Sequence, residues 1–284
     1  MTPTHPAHLH LTKHHGAGND FLVILDAVGT IPVAPDVVAA LCHRHHGVGA
    51  DGVIRVRRDP DGAELVMELR NADGGVAETS GNGLRCLAQA AIDAGWVRPP
   101  TFSVRTDAGP RSVDFEMGPA GTGFAWVDMG TPELGADAEL GVDVEALSGG
   151  VKLARWVDVG NPHLVLVVAD LTSADVAAAG AALEARRPGG VNVEFVTVDT
   201  GGDEIDLRVW ERGAGETRAC GTGSVAAAAV ARAAGLSRDR VRVHNPGGTL
   251  NVAFAGETAR LGGPVHKVAD IDVDVAVLLA ATHR

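Results

Sequence analysis

Short apolar segments recur along the chain and are separated by turns rich in glycine, asparagine and aspartate. Alternating or continuous apolar runs of this length are typical of half-buried and fully buried strands. A first series of predicted strands is Leu9–Lys13, Phe21–Leu25, Val53–Val56, Leu65–Leu69, Phe102–Arg105, Ser112–Met117 and Phe124–Asp128. A second series is Val151–Val159, Leu164–Val168, Val193–Val198, Ile205–Trp210, Val241–Val243 and Leu250–Phe254.

Two further segments have the apolar spacing of surface helices. In the first, we predict a helix that Asp36 caps and that ends near Gly47. Its apolar face is formed by Val37, Val38, Leu41 and Cys42. In the second, Thr172 or Ser173 is expected to cap a helix that runs to about Arg186.

A four-residue phrase occurs twice and opens two more helices. The first copy is Ser80-Gly81-Asn82-Gly83, and the second, 140 residues later, is Cys220-Gly221-Thr222-Gly223. Each copy leads into an alanine-rich apolar segment of equal length that stops at a glycine, Gly95 or Gly235. This pattern predicts two buried helices with glycine C-caps. A helix N-terminus binds anions and lowers the pKa of a thiol, which favours Cys220 as a thiolate.

The order of elements around the first phrase is repeated around the second. Gly18–Val23 aligns with Gly160–Val165, and Val104–Gly109 aligns with Val243–Gly248. The stretch between the two series, Gly130–Asp143, is acidic, glycine-rich and weakly periodic. We interpret this stretch as a linker or long loop between domains.

The repeat predicts an α/β fold of the α+β type with two pseudo-symmetric domains. Each domain is expected to be a many-stranded, mostly antiparallel sheet wrapped on a central helix. The N-terminal domain comprises residues 1–121 plus 268–284 with the Ser80 helix, and the C-terminal domain comprises residues 122–267 with the Cys220 helix. We expect both inner helices to point their N-termini at the domain interface, where ligand sites are common.

Composition and charge exclude several classes of function. The net charge of −12 argues against a nucleic-acid partner, because the phosphate backbone selects basic surfaces. No apolar run approaches the roughly 18 residues of a membrane span. The three cysteines, Cys42, Cys86 and Cys220, are odd in number and irregularly spaced, which argues against a disulfide framework. We therefore expect a cytoplasmic protein with no membrane partner and with Cys42 and Cys86 in the core.

A histidine cluster raises the question of a metal site. His43, His45 and His46 follow Cys42 closely, but no carboxylate joins them in the sequence. We therefore expect solvated histidines there and no metal ion.

Five motifs, taken together and in order, resemble those of the diaminopimelate epimerase family. The matching segments are His15–Phe21, Asn71–Gly74 with Ser80–Arg85, Gly160–His163, Val191–Phe195, and Glu211–Thr217 with Cys220–Gly223. They span nearly the whole chain. The resemblance implies that LL- and meso-2,6-diaminopimelate are interconverted without a cofactor, in lysine and peptidoglycan precursor biosynthesis. It also implies two similar α/β domains, a C-terminal tail that returns to the first domain, and a homodimer.

The chemistry of such a reaction limits which residues can carry it. Removing a weakly acidic Cα proton without pyridoxal phosphate requires electrostatic stabilisation of a carbanion and exclusion of water. Two proton carriers are needed on opposite faces, and the resemblance implies paired cysteines there. The chain departs from the family at the first of them, where it has Ser80. A serine hydroxyl is far less acidic than a thiol, so we expect impaired activity with Cys220 as the thiolate.

Two explanations of Ser80 stay open. One is an introduced Cys-to-Ser substitution, and the other is a natural variant that works with one thiol. Two alternative functions also stay open. Because Ser80 breaks the pair, the chain could be a catalytically silent binder of a diamino diacid, or a one-thiol racemase of the proline or hydroxyproline type. Ser80 taken alone could also be an ordinary helix N-cap.

The resemblance implies roles for the other site residues. His163 and Glu211 match family residues near the catalytic pair, and Glu211 also belongs to the substrate-binding set. The residues expected to present N–H groups to the α-carboxylate are Gly81, Asn82, Gly221 and Thr222. The residues expected at the distal amino acid centre are Asn19, Asn71, Asn161, Asn192 and Arg212. Arg212 would grip the distal carboxylate in a bidentate manner, whereas each asparagine taken alone could be a turn residue.

Overall fold

Apolar strands and two alanine-rich helices form most of the regular structure. The computed structural model describes residues 6–77, 80–119 and 121–282. The chain divides into two units: unit 1 is Met1–Val127 with Pro264–Arg284, and unit 2 is Asp128–Gly263. The chain leaves unit 1 within one strand and returns to it within another.

The elements up to the point where the chain passes from unit 1 to unit 2 are β1 (His8–Gly16), β2 (Asn19–Leu25), α1 (Pro35–Cys42), β3 (Gly52–Arg58), β4 (Leu65–Asn71), β5 (Val76–Ala77), α2 (Gly81–Asp93), β6 (Thr101–Thr106), β7 (Gly109–Met117) and β8 (Thr122–Gly130). Unit 2 continues with β9 (Glu133–Asp137), α3 (Val142–Leu147), β10 (Val151–Asp158), β11 (Pro162–Val168), α4 (Val176–Arg186), β12 (Asn192–Val198), β13 (Glu204–Glu211), β14 (Gly215–Thr217), α5 (Gly221–Ala233), β15 (Arg240–Asn245) and β16 (Gly248–Ala255). The chain then returns to unit 1 through β17 (Thr258–Asp274) and ends in α6 (Val275–Thr282). The predicted α+β class is confirmed.

The strands of unit 1 pair mainly in the antiparallel sense. β1 pairs with β2 and with β17, β3 with β4, β4 with β5, and β6 with β7, all antiparallel. Two pairs are parallel, β2 with β3 and β4 with β6. Parallel neighbours need a crossover connection, and α1 and α2 lie in those two connections.

The helix α2 is the centre of unit 1. Its residues from Gly81 to Ala91 are all buried, which is the pattern of a helix enclosed on every side. The side chain of Ser80 caps its first turn, and Gly95 adopts a positive φ of 69° just past its end. A smaller apolar cluster lies elsewhere in the unit, where Val38 and Leu41 of α1 pack with Leu278 of α6.

Unit 2 repeats this arrangement with α5 at its centre. β10 pairs with β11, β12 with β13, β13 with β14, and β15 with β16 in the antiparallel sense, whereas β11 with β12 and β13 with β15 are parallel. The residues of α5 from Gly221 to Ala231 are all buried. Gly235 follows the helix with a φ of 70°, as Gly95 does in unit 1.

The registers of the two sheets give a residue-by-residue correspondence between the units. Phe21 pairs with Gly52 in unit 1, and His163 pairs with Asn192 in unit 2. On the following strands Leu69 pairs with Ala77, and Val209 pairs with Thr217. Ala77 lies three residues before Ser80, and Thr217 lies three residues before Cys220. We therefore treat Phe21 and His163 as equivalent positions in the two units, and likewise Leu69 and Val209.

Two expectations about unit 2 and its boundary are wrong. Gly130–Asp143 is not a plain loop, because β9 lies within it and pairs with β10. All five residues of β9 are exposed, so no apolar alternation marks the strand. Neither Thr172 nor Ser173 caps α4, since Asp175 accepts the N–H of Ala178 at 3.0 Å.

The helix α1 also differs from its prediction. Its N-cap is Ala34, which makes no side-chain capping bond, and Pro35 opens the helix. Asp36 instead lies in the first turn, where a carboxylate favours the helix dipole. The helix ends at Cys42 rather than near Gly47, because His43 adopts an extended backbone. The predicted apolar face is buried, as expected.

Candidate active site

Cys220 and Ser80 occupy the same structural position in their respective units. Each is the N-cap of its helix, with an extended backbone of φ −123° and ψ 119° at Cys220 and φ −148° and ψ 120° at Ser80. The Cys220 Sγ accepts the N–H of Gly223 at 3.3 Å, and the Ser80 Oγ accepts the N–H of Gly83 at 3.0 Å. The two copies of the four-residue motif therefore adopt the same local geometry, with a serine in one and a cysteine in the other.

Around Cys220, unit 2 assembles a cluster of polar side chains. The Sγ atom lies 3.4 Å from Thr222 Oγ1, and the carboxylate of Glu211 is near enough to the thiol for its charge to raise the pKa of Cys220. Thr217 Oγ1 donates a second hydrogen bond to that carboxylate. Glu211 stands at the end of β13 and Thr217 on β14, so the hairpin holds the acid against the start of α5.

Burial raises the pKa of the Cys220 thiol well above its ordinary value. The negative charges of Glu211 and Glu194 raise it further, and hydrogen bonds from Thr222 and Gly223 only partly oppose them. The expectation that the helix N-terminus lowers this pKa is therefore wrong for the ligand-free protein. Desolvation and two neighbouring carboxylates outweigh the half charge of a helix end.

Burial also raises the pKa of Glu211, and the interactions with Thr217 and Cys220 partly offset that rise. Glu211 and Cys220 are therefore two neighbouring acids, each held toward its protonated form. Such a pair can pass a proton internally, because the Glu211 carboxylate is a base beside the thiol.

His163 forms a second buried polar group in unit 2. Its Nδ1 lies 2.7 Å from Glu194 Oε1, and neither side chain is exposed. Its Nε2 lies 2.9 Å from Asn161 Oδ1, and the Asn161 amide reaches Thr222 Oγ1 at 3.5 Å. This network brings His163, Asn161 and Thr222 together beside Cys220.

Glu194 is the site residue that the sequence reasoning missed. It lies within one of the recognised motifs but receives no role from its spacing. The signal that could have found it is a charged residue in the middle of a strand that is otherwise apolar, since a fully buried glutamate needs a partner. Its Oε2 atom has no hydrogen-bond partner among the described residues, although it is buried.

Asn192 and Arg212 are neighbours at another part of unit 2. The Asn192 side chain accepts the backbone N–H of Arg212 at 3.0 Å and donates to the carbonyl of Pro162 at 3.1 Å. Asn192 therefore holds two backbone segments in place. The exposed side chain of Arg212 reaches the carbonyl of Gly189 at 3.4 Å, a long contact.

Unit 1 carries the remaining predicted residues. Asn82, in the first turn of α2, donates to Asn19 Oδ1 at 3.1 Å, and Asn19 donates to Asp51 Oδ2 at 2.7 Å. Gly81 is the first residue of α2 and is buried. Asn71 is exposed at the end of β4, where its backbone closes a turn with Gly74 and Gly75.

The two units differ sharply in what surrounds the N-cap residue. At the positions of His163, Glu194 and Glu211, unit 1 has Phe21, Ile54 and Asn71. A methyl group placed on Gly83 would meet Ile54 Cδ1 at 3.1 Å, whereas one on Gly223 would meet Glu194 Oε1 at 2.7 Å. At these three equivalent positions, therefore, unit 1 has no acid and no imidazole to match those near Cys220.

Cys42, Cys86 and the histidines that follow Cys42 take no part in the polar cluster around Cys220. Cys42 and Cys86 are buried, and burial raises the pKa of each thiol to about 12. The exposed His43 accepts N–H groups of His45 and His46. Within residues 6–77, 80–119 and 121–282, no cluster of histidine, cysteine or acidic side chains has the arrangement of a metal site. None of the described helices is long and apolar enough to span a membrane.

The chain is similar to known proteins of one family. The model of the family described as diaminopimelate epimerase matches residues 11–135 and 155–268. A diaminopimelate epimerase of Corynebacterium glutamicum is 40% identical over 268 residues, which cover 89% of this chain and 93% of that protein. One of Mycolicibacterium smegmatis is 40% identical over 282 residues, covering 92% and 96% respectively.

Solved structures with much lower identity share the fold. A phenazine biosynthesis protein of the PhzF family from Bacillus anthracis matches with a TM-score of 0.75 at 16% identity, covering 94% of this chain and 99% of that one. A hydroxyproline epimerase from Agrobacterium vitis matches with a TM-score of 0.70 at 18% identity, covering 95% and 92%. The sequence relatives decide the family, and on their evidence this chain belongs to the diaminopimelate epimerase family.

Proposed function

We propose that this protein epimerises LL-2,6-diaminopimelate to the meso isomer by proton transfer at Cα, with a rate limited by Ser80. The observation that carries the proposal is that the buried Cys220 thiol, at the N-terminus of α5, has the half-buried carboxylate of Glu211 beside it. Membership of the diaminopimelate epimerase family supports the choice of substrate. The position of Ser80, in the same N-cap geometry, supports its assignment as the second proton carrier.

The proposed chemistry begins with Glu211. It takes the proton of the Cys220 thiol, and the resulting thiolate removes the Cα proton of the substrate. The electron pair of the broken C–H bond stays on the substrate as a carbanion delocalised into the α-carboxylate. The N–H groups at the start of α5 favour that negative charge, which compensates for the absence of an electron sink. Return of a proton to the opposite face completes the inversion.

We propose that Ser80 transfers protons only poorly at the opposite face of the substrate. Its hydroxyl can deliver a proton, but it cannot readily become an alkoxide near neutral pH. The apolar Ile54 and the neutral Asn71 stand in unit 1 where Cys220 has Glu194 and Glu211. One stereoisomer therefore presents its Cα proton to a competent base, and the other presents it to a weak one.

The distal amino acid centre is assigned to Arg212 together with Asn19, Asn71, Asn161 and Asn192. Among the described residues the exposed guanidinium of Arg212 makes one long hydrogen bond, to Gly189, which leaves most of its N–H groups for a carboxylate. Asn192 acts there through the backbone of Arg212, which it fixes by a 3.0 Å hydrogen bond. The contacts of Asn161 to His163 and Thr222 support a position close to the reacting centre as well.

Deuterium exchange separates the proposed enzyme from its alternatives. In heavy water, NMR should show deuterium entering Cα of diaminopimelate in the presence of the protein. A catalytically silent binder would give a calorimetric binding signal and no exchange. A one-thiol racemase of the proline or hydroxyproline type would exchange those imino acids instead. The presence of Phe21, Ile54 and Asn71 at the positions equivalent to His163, Glu194 and Glu211 is the observation that favours the silent binder as the second candidate.

The proposal extends to assembly, cofactor use and location. We propose a cytoplasmic homodimer that needs no cofactor and takes diaminopimelate as its small-molecule partner, with no nucleic-acid or membrane partner. Family membership supports these features. Light scattering of the purified protein gives the mass per particle, and exhaustive dialysis against a chelator before the exchange assay tests for a metal requirement. A monomeric mass or a loss of exchange after dialysis would contradict the respective statement.

A further inference from the structure

Arg85 is a buried cation at the fifth residue of α2, three residues after Asn82. Its side chain is fully buried, and burial lowers its pKa to about 10, so it stays charged near neutral pH. Among the described residues its hydrogen-bond partners are two carbonyl oxygens, Asn82 Oδ1 and, at 2.9 Å, the backbone oxygen of Pro264. Within the part of the chain that the structure describes, no carboxylate forms an ion pair with the guanidinium. Such a charge is costly to bury without a counter-ion.

The hydrogen bonds that start at Arg85 run in one direction. A guanidinium can only donate, so the Asn82 oxygen must accept and its amide nitrogen must face away. That nitrogen donates to Asn19 Oδ1 at 3.1 Å, and the Asn19 nitrogen donates to Asp51 Oδ2 at 2.7 Å. A carboxylate can only accept, so every hydrogen bond in this series, from Arg85 to Asp51, has a fixed donor and a fixed acceptor.

This directed chain fixes the orientation of two amides that could otherwise flip. Asn19 and Asn82 are each left with one further N–H, close to the free N–H groups that open α2. The backbone also holds the guanidinium closely, since a methyl group on Gly16 would lie 3.0 Å from Arg85 Nη2. Donors, a helix N-terminus and a buried positive charge all favour an anion at the same place.

We propose that Arg85 and Asp51 are positioning residues that fix Asn19 and Asn82 as hydrogen-bond donors toward the substrate, with Asn82 facing its α-carboxylate. The buried charge of Arg85 is balanced when that carboxylate binds. This inference rests on the proposed function for the identity of the ligand. The orientation of the two amides is independent of it.

Variants at both ends of the chain test the inference. Asp51→Asn allows the Asn19 amide to flip, and the side chain of Asp51 is 40% exposed, so the fold should tolerate the change. Arg44→Gln is the matched control, because Arg44 pairs with Asp51 and Asp20 from outside the chain of amides. Arg85→Met removes the charge, and Arg85→Lys restores it on a single nitrogen, without the planar fork of the guanidinium.

Calorimetry with diaminopimelate should give a dissociation constant about 10-fold higher for Asp51→Asn, as expected for a lost hydrogen bond to a charged group. Arg85→Met should bind more weakly still, Arg85→Lys should recover part of the affinity, and Arg44→Gln should match the parent. In turnover, KM should rise more than kcat falls. Folded Asp51→Asn and Arg85→Lys variants with the affinity of the parent would overturn the inference.

A ligand-free readout separates this inference from the proposed function. The side-chain amide signals of Asn19 and Asn82 in a ¹⁵N NMR spectrum should shift in Asp51→Asn and stay in place in Arg44→Gln. Unchanged signals in Asp51→Asn would overturn the positioning role, whatever the ligand. If the amides shift as expected but the parent neither binds nor exchanges diaminopimelate, the proposed function fails while the directed chain stands.

Discussion

The imidazole Nδ1 of His163 lies 2.7 Å from Glu194 Oε1, and both side chains are completely buried. The other ring nitrogen faces a second acceptor, Asn161 Oδ1, at 2.9 Å. These two contacts fix the orientation of the ring. Unit 1 has Phe21 and Ile54 at the same two positions. The two units therefore share a fold, and unit 2 carries the titratable chemistry.

Replacing Glu194 tests how much its hydrogen bond with His163 contributes to stability and to proton exchange. We expect Glu194→Gln to lower the free energy of unfolding by about 1–3 kcal/mol, because a buried charged hydrogen bond is lost. The proton-exchange rate should fall as well, since the His163 ring loses its anchor. Urea denaturation and the NMR exchange assay measure the two effects, with Glu133→Gln on the exposed strand β9 as control. A variant with the parent's stability and rate would show that the pair is dispensable.

The hydrogen bond from Thr217 to Glu211 sets where activity rises with pH. That bond lowers the pKa of Glu211, against the rise caused by burial. Because Glu211 must be ionised to take the thiol proton, the rate should increase as the pH passes the pKa of Glu211. Thr217→Val removes the bond and should move the midpoint of this acid limb to higher pH. Thr217→Ser keeps the hydroxyl and should leave the midpoint in place; an unmoved midpoint in Thr217→Val argues against Glu211 as the base.

The raised pKa of Cys220 predicts a loss of stability in alkali. The folded protein holds the thiol proton more tightly than the unfolded chain, whose thiol ionises near the ordinary value of 9.0. Stability from this residue is therefore complete below that value and declines as the pH rises toward the folded pKa. Cys220→Ala should show a shallower decline above pH 9 in urea titrations. The same slope in both proteins would mean that the thiol is not held protonated.

The glycines at the third position of each inner helix should respond differently to an added methyl group. In Gly223→Ala the methyl would press on Glu194 Oε1, which is held by His163. In Gly83→Ala it would meet the flexible ends of Met67 and Ile54 at 3.0 and 3.1 Å. We expect Gly223→Ala to lose more stability and most of its exchange activity. Equal melting temperatures and equal exchange rates for the two variants would contradict this difference.

Much of the fold was accessible from the sequence because its signals are local. The strands that carry apolar alternation and the two helices that follow a glycine-rich phrase were predicted within a few residues. The exposed strand β9 was not, since burial creates the pattern and β9 has none. The long strand β17 was also missed, because Gly262, Gly263 and Pro264 interrupt it where it changes units.

The site was less accessible, because its chemistry depends on contacts between distant segments. The sequence indicated that Cys220 lies at a helix start, which by itself favours a thiolate. It did not show that Glu194 and Glu211 would be brought beside the thiol, and these carboxylates together with burial reverse the direction of the pKa shift. Likewise, the spacing of Asn19, Asp51 and Arg85 gives no sign that one directed chain of hydrogen bonds joins them.

The central claim is that Cys220 is the competent proton carrier and that Ser80 limits the reaction. The measurement is Cα deuterium exchange and stereochemistry, followed together by NMR for LL- and meso-diaminopimelate, with the parent protein and with Ser80→Cys. We expect the parent to exchange one stereoisomer far faster than the other and to epimerise slowly. Ser80→Cys should raise epimerisation in both directions by about 10²–10⁴-fold, the usual contribution of a general acid–base group. If the parent already converts both isomers as fast as Ser80→Cys does, the claim is contradicted.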